Sequence, residues 1–322
     1  MGHTSETAGW SVWQRFWHKP VRAERLALTR ILIAGLLLVE LLVQYLPWFD
    51  MFYGREGVAP SGVHDEWLLK TWHWTAVFFT TDNLRVLYPL FWLRVVLTGM
   101  YLIGWQTRFM SVMAWLMAMC WINRNPALRN GADDVLMAAL FLLMFAPCGE
   151  AFSLDSWLRR RKLPAEQADQ AAYTVAWPLR LIQIQVATLY CTTGLAKLIR
   201  VIFQGDWADD WWQGTWWEGT SIHYVFCDTT MSRWSYAQLP VPFWATVAMT
   251  YASVWWETLF PLLMLTRWTR KLALWFGVLF HLGIFMTIEI GWFSFYTTAL
   301  YAVWIPDDFW ARWSYPAPTR GP

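Results

Sequence analysis

Charge is scarce in this sequence: only 15% of its 322 residues are Asp, Glu, Lys or Arg, where a soluble domain carries about 25%. That scarcity argues against an ordinary soluble chain of this length. The formal net charge of +2 is too small for the phosphate attraction that drives nucleic-acid binding, so no nucleic acid is expected as a partner. Cysteine is sparse as well. Cys120, Cys148, Cys191 and Cys227 stand apart with no CxxC pair, and three of them lie in or beside apolar runs, so they read as small buried hydrophobes rather than a disulfide framework. No HxxxH, HxxE or carboxylate repeat places metal ligands on one helix, and no Walker, Rossmann or GxSxG motif occurs. The opening segment WQRFWHKPVRAER lacks the short apolar core and small-residue cleavage site of a signal peptide.

What is present is apolar: 57% of the residues are hydrophobic and 28 are Trp. RLALTRILIAGLLLVELLVQYLPW (25–48) and VAWPLRLIQIQVATLYCTTGLAKL (175–198) are each long enough to cross a bilayer, which takes about 20 residues. Segments that cross lipid must satisfy their own backbone groups, so they are helices. The expected fold is all-α: a polytopic integral membrane helical bundle of about eight transmembrane helices. The spans are expected near 25–47, 87–105, 109–122, 133–147, 176–198, 243–265, 271–287 and 291–305, the third and fourth short for a full crossing. Gly291-Trp292 breaks the last two, leaving a merged or re-entrant pair open.

Residues 1–23 then form a cytoplasmic or interfacial segment, 24–305 the transmembrane domain and 306–322 a cytoplasmic tail. WSVWQRFWHKP alternates aromatics with bases, as a short interfacial helix does. Lys and Arg cluster in the N-terminal segment, at RRRK (159–162) and at RWTRK (267–271), which sets those loops and both termini in the cytoplasm. The opposite side receives loops 48–86 and 199–242. Within the second, DWADDWWQGTWWEGT (206–220) is expected to dip into the outer interface or to lid a cavity.

Ionisable groups inside spans cost about 2.5–3.5 kcal/mol each on insertion scales and are functional candidates with a partner to be named. They are Arg30, Glu40, Arg94, Lys197, Glu257 and His281. Gln183, Tyr190 and Lys197 recur every seven residues and share one face of a helix, with Thr193 and Gly194 beside them. Lys197 either snorkels to the outer headgroups, for which Arg200 is an alternative anchor, or faces an apolar cavity. A lysine kept from water there serves as a base or nucleophile. His281 is either a core histidine or a site residue. Glu257 and Arg30 are candidates for a buried structural pair or for catalysis. NRNPALRNGADD (123–134) reads as a turn and helix cap; alternatively, Asn125, Asn130 and the open helix end supply donors to an outer site.

Several segments resemble one family in order: TRILIAGLLLVELL, FYGREGVAP (52–60), NRNPALRNGADDVLM, LRLIQIQVATLYCTTGLAKL, WWEGTSIHY (216–224), ETLFPLLML (257–265) and FHLGIFMTIEIGWFSF (280–295). Together, over about residues 24–305, they resemble the HTTM family, the membrane module shared with vitamin K-dependent γ-glutamyl carboxylase, a lyase. The resemblance implies that Lys197 is the base that deprotonates a reduced quinone of the vitamin K type. Its oxygenation then yields the stronger base for the glutamate γ-proton. This chain departs from that pattern in having Ala196-Lys197 where the carboxylase has a lysine pair, and Gly131 where it has a histidine. It also lacks, by expectation, the large lumenal domain that grips the propeptide. It is similar too to stand-alone family members of the sporulation-delaying protein B type, which help to mature a secreted peptide.

The expected protein therefore lies in a bacterial inner membrane and matures a secreted peptide. Lys197 and His281 are its expected catalytic residues, and Gln183, Tyr190, Arg30, Asn125, Asn130, Glu257 and Trp217 its binding residues, with no metal. The alternative is a non-catalytic factor that binds an exported peptide or protein through the Trp-rich loop.

Overall fold

The computed structural model describes residues 10–58, 60, 81–168, 170–204 and 216–313, and they are mostly helical. The helices are α1 Val12–His18, α2 Glu24–Glu40 with a π-turn Leu41–Tyr45, α3 Phe49–Tyr53, α4 Leu84–Ile103, α5 Thr107–Arg124 and α6 Gly131–Phe145. They continue as α7 Leu154–Arg160, α8 Ala165–Ala168, α9 Trp177–Gln204, α10 Ser221–Cys227, α11 Phe243–Leu263, α12 Arg267–Thr287, α13 Phe293–Ala299, a 3₁₀ segment Leu300–Trp304 and α14 Asp307–Trp313. The only sheet among the described residues is one antiparallel pair, β1 Val21–Arg22 against β2 Tyr173–Thr174. Helix occupies each of the eight stretches expected from the sequence. Among the described residues, three helices are both long and apolar enough to cross a membrane: Glu24–Tyr45, Leu84–Ile103 and Arg267–Thr287.

Two compact units divide the chain, residues 1–182 with 299–322 and residues 183–298; the boundary falls inside α9. In the first unit α2 and its π-turn bury Leu26, Arg30, Ile33, Leu37 and Leu41, a stripe at spacings of three or four residues that defines a helix's packing face. Arg30 sits fully buried in that stripe. Its guanidinium donates to the Cys148 carbonyl at 3.2 Å and the Phe152 carbonyl at 2.5 Å. α4 and α5 are joined by a turn in which Gly104 and Gln106 both take positive φ. α5 receives an N-terminal cap from a distant chain segment: Asp155 accepts from the Gln106 N–H at 2.9 Å, and from the Thr107 N–H and hydroxyl at 2.7 Å each. Burial acts to raise the Asp155 carboxyl. The bonds from Thr107 and Gln106 and the Arg159 charge outweigh it and hold the group below the usual aspartate range.

In the second unit α12 buries only Ala273, Gly277 and His281, one residue per turn along a single face. The Trp256 indole of α11 donates to the Ala273 carbonyl at 3.1 Å. The opposite face of α12 exposes Trp268, Leu272, Trp275, Leu279, Leu282 and Met286, again at alternating spacings of four and three. An apolar stripe of that length is compatible with contact to lipid. α12 ends at Thr287, and a turn with Gly291 at positive φ precedes α13, so the chain does break where Gly291-Trp292 indicated.

Candidate functional site

The seven-residue spacing of Gln183, Tyr190 and Lys197 is realised on α9 in the second unit. Tyr190 is buried, and its ring packs on Trp256 and Phe260 of α11 with centroids 4.6 and 4.5 Å away. Its hydroxyl lies 2.6 Å from His281 Nε2. His281 is the last residue of the small-residue face of α12, which is why a histidine can enter the helix interface there. Aromatic rings of Phe280 and Phe293 flank it.

Two turns further along α9, Lys197 Nζ donates to Glu257 Oε2 of α11 at 2.6 Å. The carboxylate side chain is 6% exposed and the lysine 21%, so the ion pair is reached from the lysine end alone. The Trp216 ring stands 4.4 Å from Nζ and covers that end, an arrangement that favours the cation. Two backbone features produce the pairing. A Cβ on Gly194 would come within 2.5 Å of the Thr258 backbone N and hydroxyl, so α9 and α11 approach backbone to backbone only because residue 194 has no side chain. Pro261 lies inside α11 and has no N–H to offer the Glu257 carbonyl one turn back, which leaves that helix turn looser beside the pair.

Of the other expected residues, Arg30, Asn125 and Asn130 belong to the first unit. The buried pair considered for Glu257 is made with Lys197 rather than Arg30, whose guanidinium donates to two carbonyls of the first unit. Asn125 is buried; it donates to the Phe52 carbonyl at 2.7 Å and accepts from the Ala127 N–H at 3.2 Å. Asn130 caps α6, accepting from the Ala132 N–H, while Asp133 accepts from the Asn130 N–H in return. That capping box occupies the donors the helix end was expected to offer. Gln183 is half-buried on the α9 stripe. Trp217 is 48% exposed, and its carbonyl accepts from the Tyr251 hydroxyl at 2.9 Å. The Trp-rich run 205–215 and the Arg200 side chain lie outside the described residues. The stretch 206–220 was expected to dip into the outer interface or to lid a cavity; sequence reasoning did not single out Trp216 within it as the ring over Lys197.

The arrangement places a hydrogen-bonded pair, Tyr190–His281, and an ion pair, Lys197–Glu257, on one helix face about 10 Å apart along its axis. Both sit among apolar side chains, where electrostatic interactions are stronger than in water. Comparison of the chain with protein-family models, curated proteins and solved structures finds no match to any of them.

Proposed function

We propose that this chain is a polytopic membrane protein of the HTTM kind, with about eight transmembrane helices and both termini in the cytoplasm. In this reading the Lys197–Glu257 pair carries out proton transfer on a reduced quinone during maturation of a secreted peptide, a γ-carboxylase-like chemistry. The observation that carries it is the 2.6 Å ion pair, closed on the carboxylate side and covered by Trp216 on the other. Ion pairs set among membrane helices are costly, and they mark sites of proton or substrate handling more often than framework.

The donor and acceptor groups present suit a quinol headgroup. Lys197 presents its amine to a phenolic hydroxyl, Glu257 behind it accepts the proton Lys197 gives up, and Trp216 offers a ring face. When bound, a reduced quinone supplies the reducing equivalents that no side chain here holds. Lys197 passes its proton to Glu257 Oε2 and, as the free amine, takes the phenolic proton at Nζ, while Glu257 keeps it oriented and Trp216 limits water at the open end. Tyr190 and His281 hold the adjacent stretch of α9 in register. The test is complementation with Lys197→Ala and Glu257→Gln, together with mass spectrometry of lipid extracted from the purified protein. Loss of function in both variants and a co-purifying quinone are expected; full function in Lys197→Ala refutes the proposal.

The second reading, a non-catalytic factor that binds an exported peptide, draws on the exposed indole of Trp217 beside the Trp-rich run. It requires deletion of 206–217 to abolish function while Lys197→Ala leaves it intact, the reverse of the enzyme's pattern.

A further inference from the structure

A second constellation lies in the same unit, on α10. His223 and Cys227 are one helical turn apart, and His223 Nε2 lies 3.9 Å from the Cys227 sulfur. His223 Nδ1 lies 3.4 Å from the Tyr236 hydroxyl oxygen. That hydroxyl has one proton, and its 2.5 Å bond to the Val241 carbonyl takes it, since a carbonyl can only accept. Toward His223 the phenol oxygen is therefore the acceptor. His223 must then carry its hydrogen on Nδ1, leaving the Nε2 lone pair facing the thiol.

The imidazole is held edge-on between the rings of Tyr236 and Phe243, with centroids 5.3 and 5.2 Å away. Nucleophile, base and orienting group thus stand in the order that activates a cysteine. The distances are those of a resting site that tightens when substrate binds. Cys227 is an exposed free thiol, open to a reagent.

The adjoining face of α10 says what that reagent is. Ile222 and Phe226, each one residue before the dyad members, line a groove of about 450 Å³ completed by Ala248, Phe276, Leu279 and Phe280. Its walls are hydrocarbon almost throughout; Thr287 is the one side chain there with a polar atom. The volume lies within the usual range for a bound small molecule, about 300–1,000 Å³. Such walls offer no partner to a polar or charged ligand and suit one long alkyl chain. Cys227 follows Phe226 directly, so its Cα is about 3.8 Å from that of a residue lining the groove.

We propose that Cys227 is an S-acylation site, with His223 as its base and the groove as the cradle of the fatty acyl chain. The donor is a fatty acyl ester or thioester. The Cys227 sulfur attacks the acyl carbonyl carbon while His223 Nε2 takes the thiol proton. A carbon–sulfur bond forms, the bond from the carbonyl carbon to the leaving oxygen or sulfur breaks, and the proton passes from His223 to that leaving group. No oxidant or reductant is needed, and the product is a thioester on Cys227.

The experiment uses the full chain in proteoliposomes. One arm adds palmitoyl-CoA with a terminal alkyne, and the other uses phospholipid whose acyl chain carries the alkyne; click detection and peptide mapping follow. Label on Cys227 that hydroxylamine releases is expected in one arm, and the arm that labels names the donor. Cys227→Ser should lose the hydroxylamine-labile label. His223→Phe, which keeps the ring packing, should slow labelling at least tenfold, and Tyr236→Phe several-fold. Ala248→Trp, which fills the groove, should cut palmitoyl labelling while leaving reaction of Cys227 with N-ethylmaleimide unchanged. Absence of label in both arms, label mapping to Cys191, an undiminished rate in His223→Phe, or equal palmitoyl labelling in Ala248→Trp each overturns the proposal. Retained helicity and elution volume of every variant show that a lost label is not lost folding.

Discussion

Tyr190 and His281, 91 residues apart in the chain, meet through a 2.6 Å bond between the phenol oxygen and Nε2. The bond joins α9 to α12 while both rings stay packed against aromatic neighbours. Tyr190→Phe keeps that packing and deletes only the bond. Interhelical hydrogen bonds of this kind are worth about 1 kcal/mol. The variant should therefore unfold slightly earlier in a detergent denaturation series, by about that amount. Tyr190→Ala also empties ring volume between Trp256 and Phe260 and should lose about 3–5 kcal/mol.

The ion pair separates stability from function. Lys197→Met leaves a buried Glu257 carboxylate without its partner, a loss of about 3–5 kcal/mol. The double variant Lys197→Met/Glu257→Leu removes both charges and should recover most of that stability, since well-packed apolar replacements of buried pairs are neutral or stabilising. Activity should stay lost in the double variant. A double variant that is stable and active would show the pair to be framework.

Gly194 and Gly99 make a controlled comparison. A Cβ on Gly194 meets the Thr258 backbone, whereas one on Gly99 meets nothing within 4 Å. Gly194→Ala should push α9 from α11, part Lys197 from Glu257 and abolish function. Gly99→Ala should be neutral or stabilising by up to about 1 kcal/mol, the helix preference of alanine. Thermal unfolding of both, read beside the complementation assay, checks the contrast.

Much of the site was legible along single helices and little of it between them. The stripe Gln183, Tyr190, Lys197 follows from helical period alone, and 123–134 reads as a turn and helix cap, which the Asn130–Asp133 capping box realises. The partner of Lys197 depends on where α11 crosses α9, which Gly194 and Thr258 decide from opposite sides of a 64-residue separation. Nothing local to Glu257 distinguishes that partner from Arg30. The start of α5 was placed two residues late for the same reason: its cap, Asp155, arrives from about 48 residues downstream.

That cap carries a pH signature. Asp155 is held below its unfolded value, so the native state favours its ionised form. Its contribution is fully present above the usual aspartate range and disappears as pH falls through the lowered folded value. Asp155→Ala should cost about 0.5–2 kcal/mol at neutral pH, as lost caps do, and the gap from the native chain should close under acid. Denaturation midpoints of the two proteins from neutral to strongly acidic pH measure it.

The exposed stripe of α12 runs from Trp268 to Met286, about 27 Å along a helix axis. This is slightly less than the hydrocarbon thickness of a typical bilayer, about 30 Å. A membrane of shorter-chain lipids would meet the helix squarely, with Trp268 at its boundary. Longer chains would thin locally around the protein, and each ångström of mismatch costs a fraction of a kcal/mol. Lipid chain length is thus a setting to which a membrane-spanning α12, and the second unit packed on it, would be mechanically exposed.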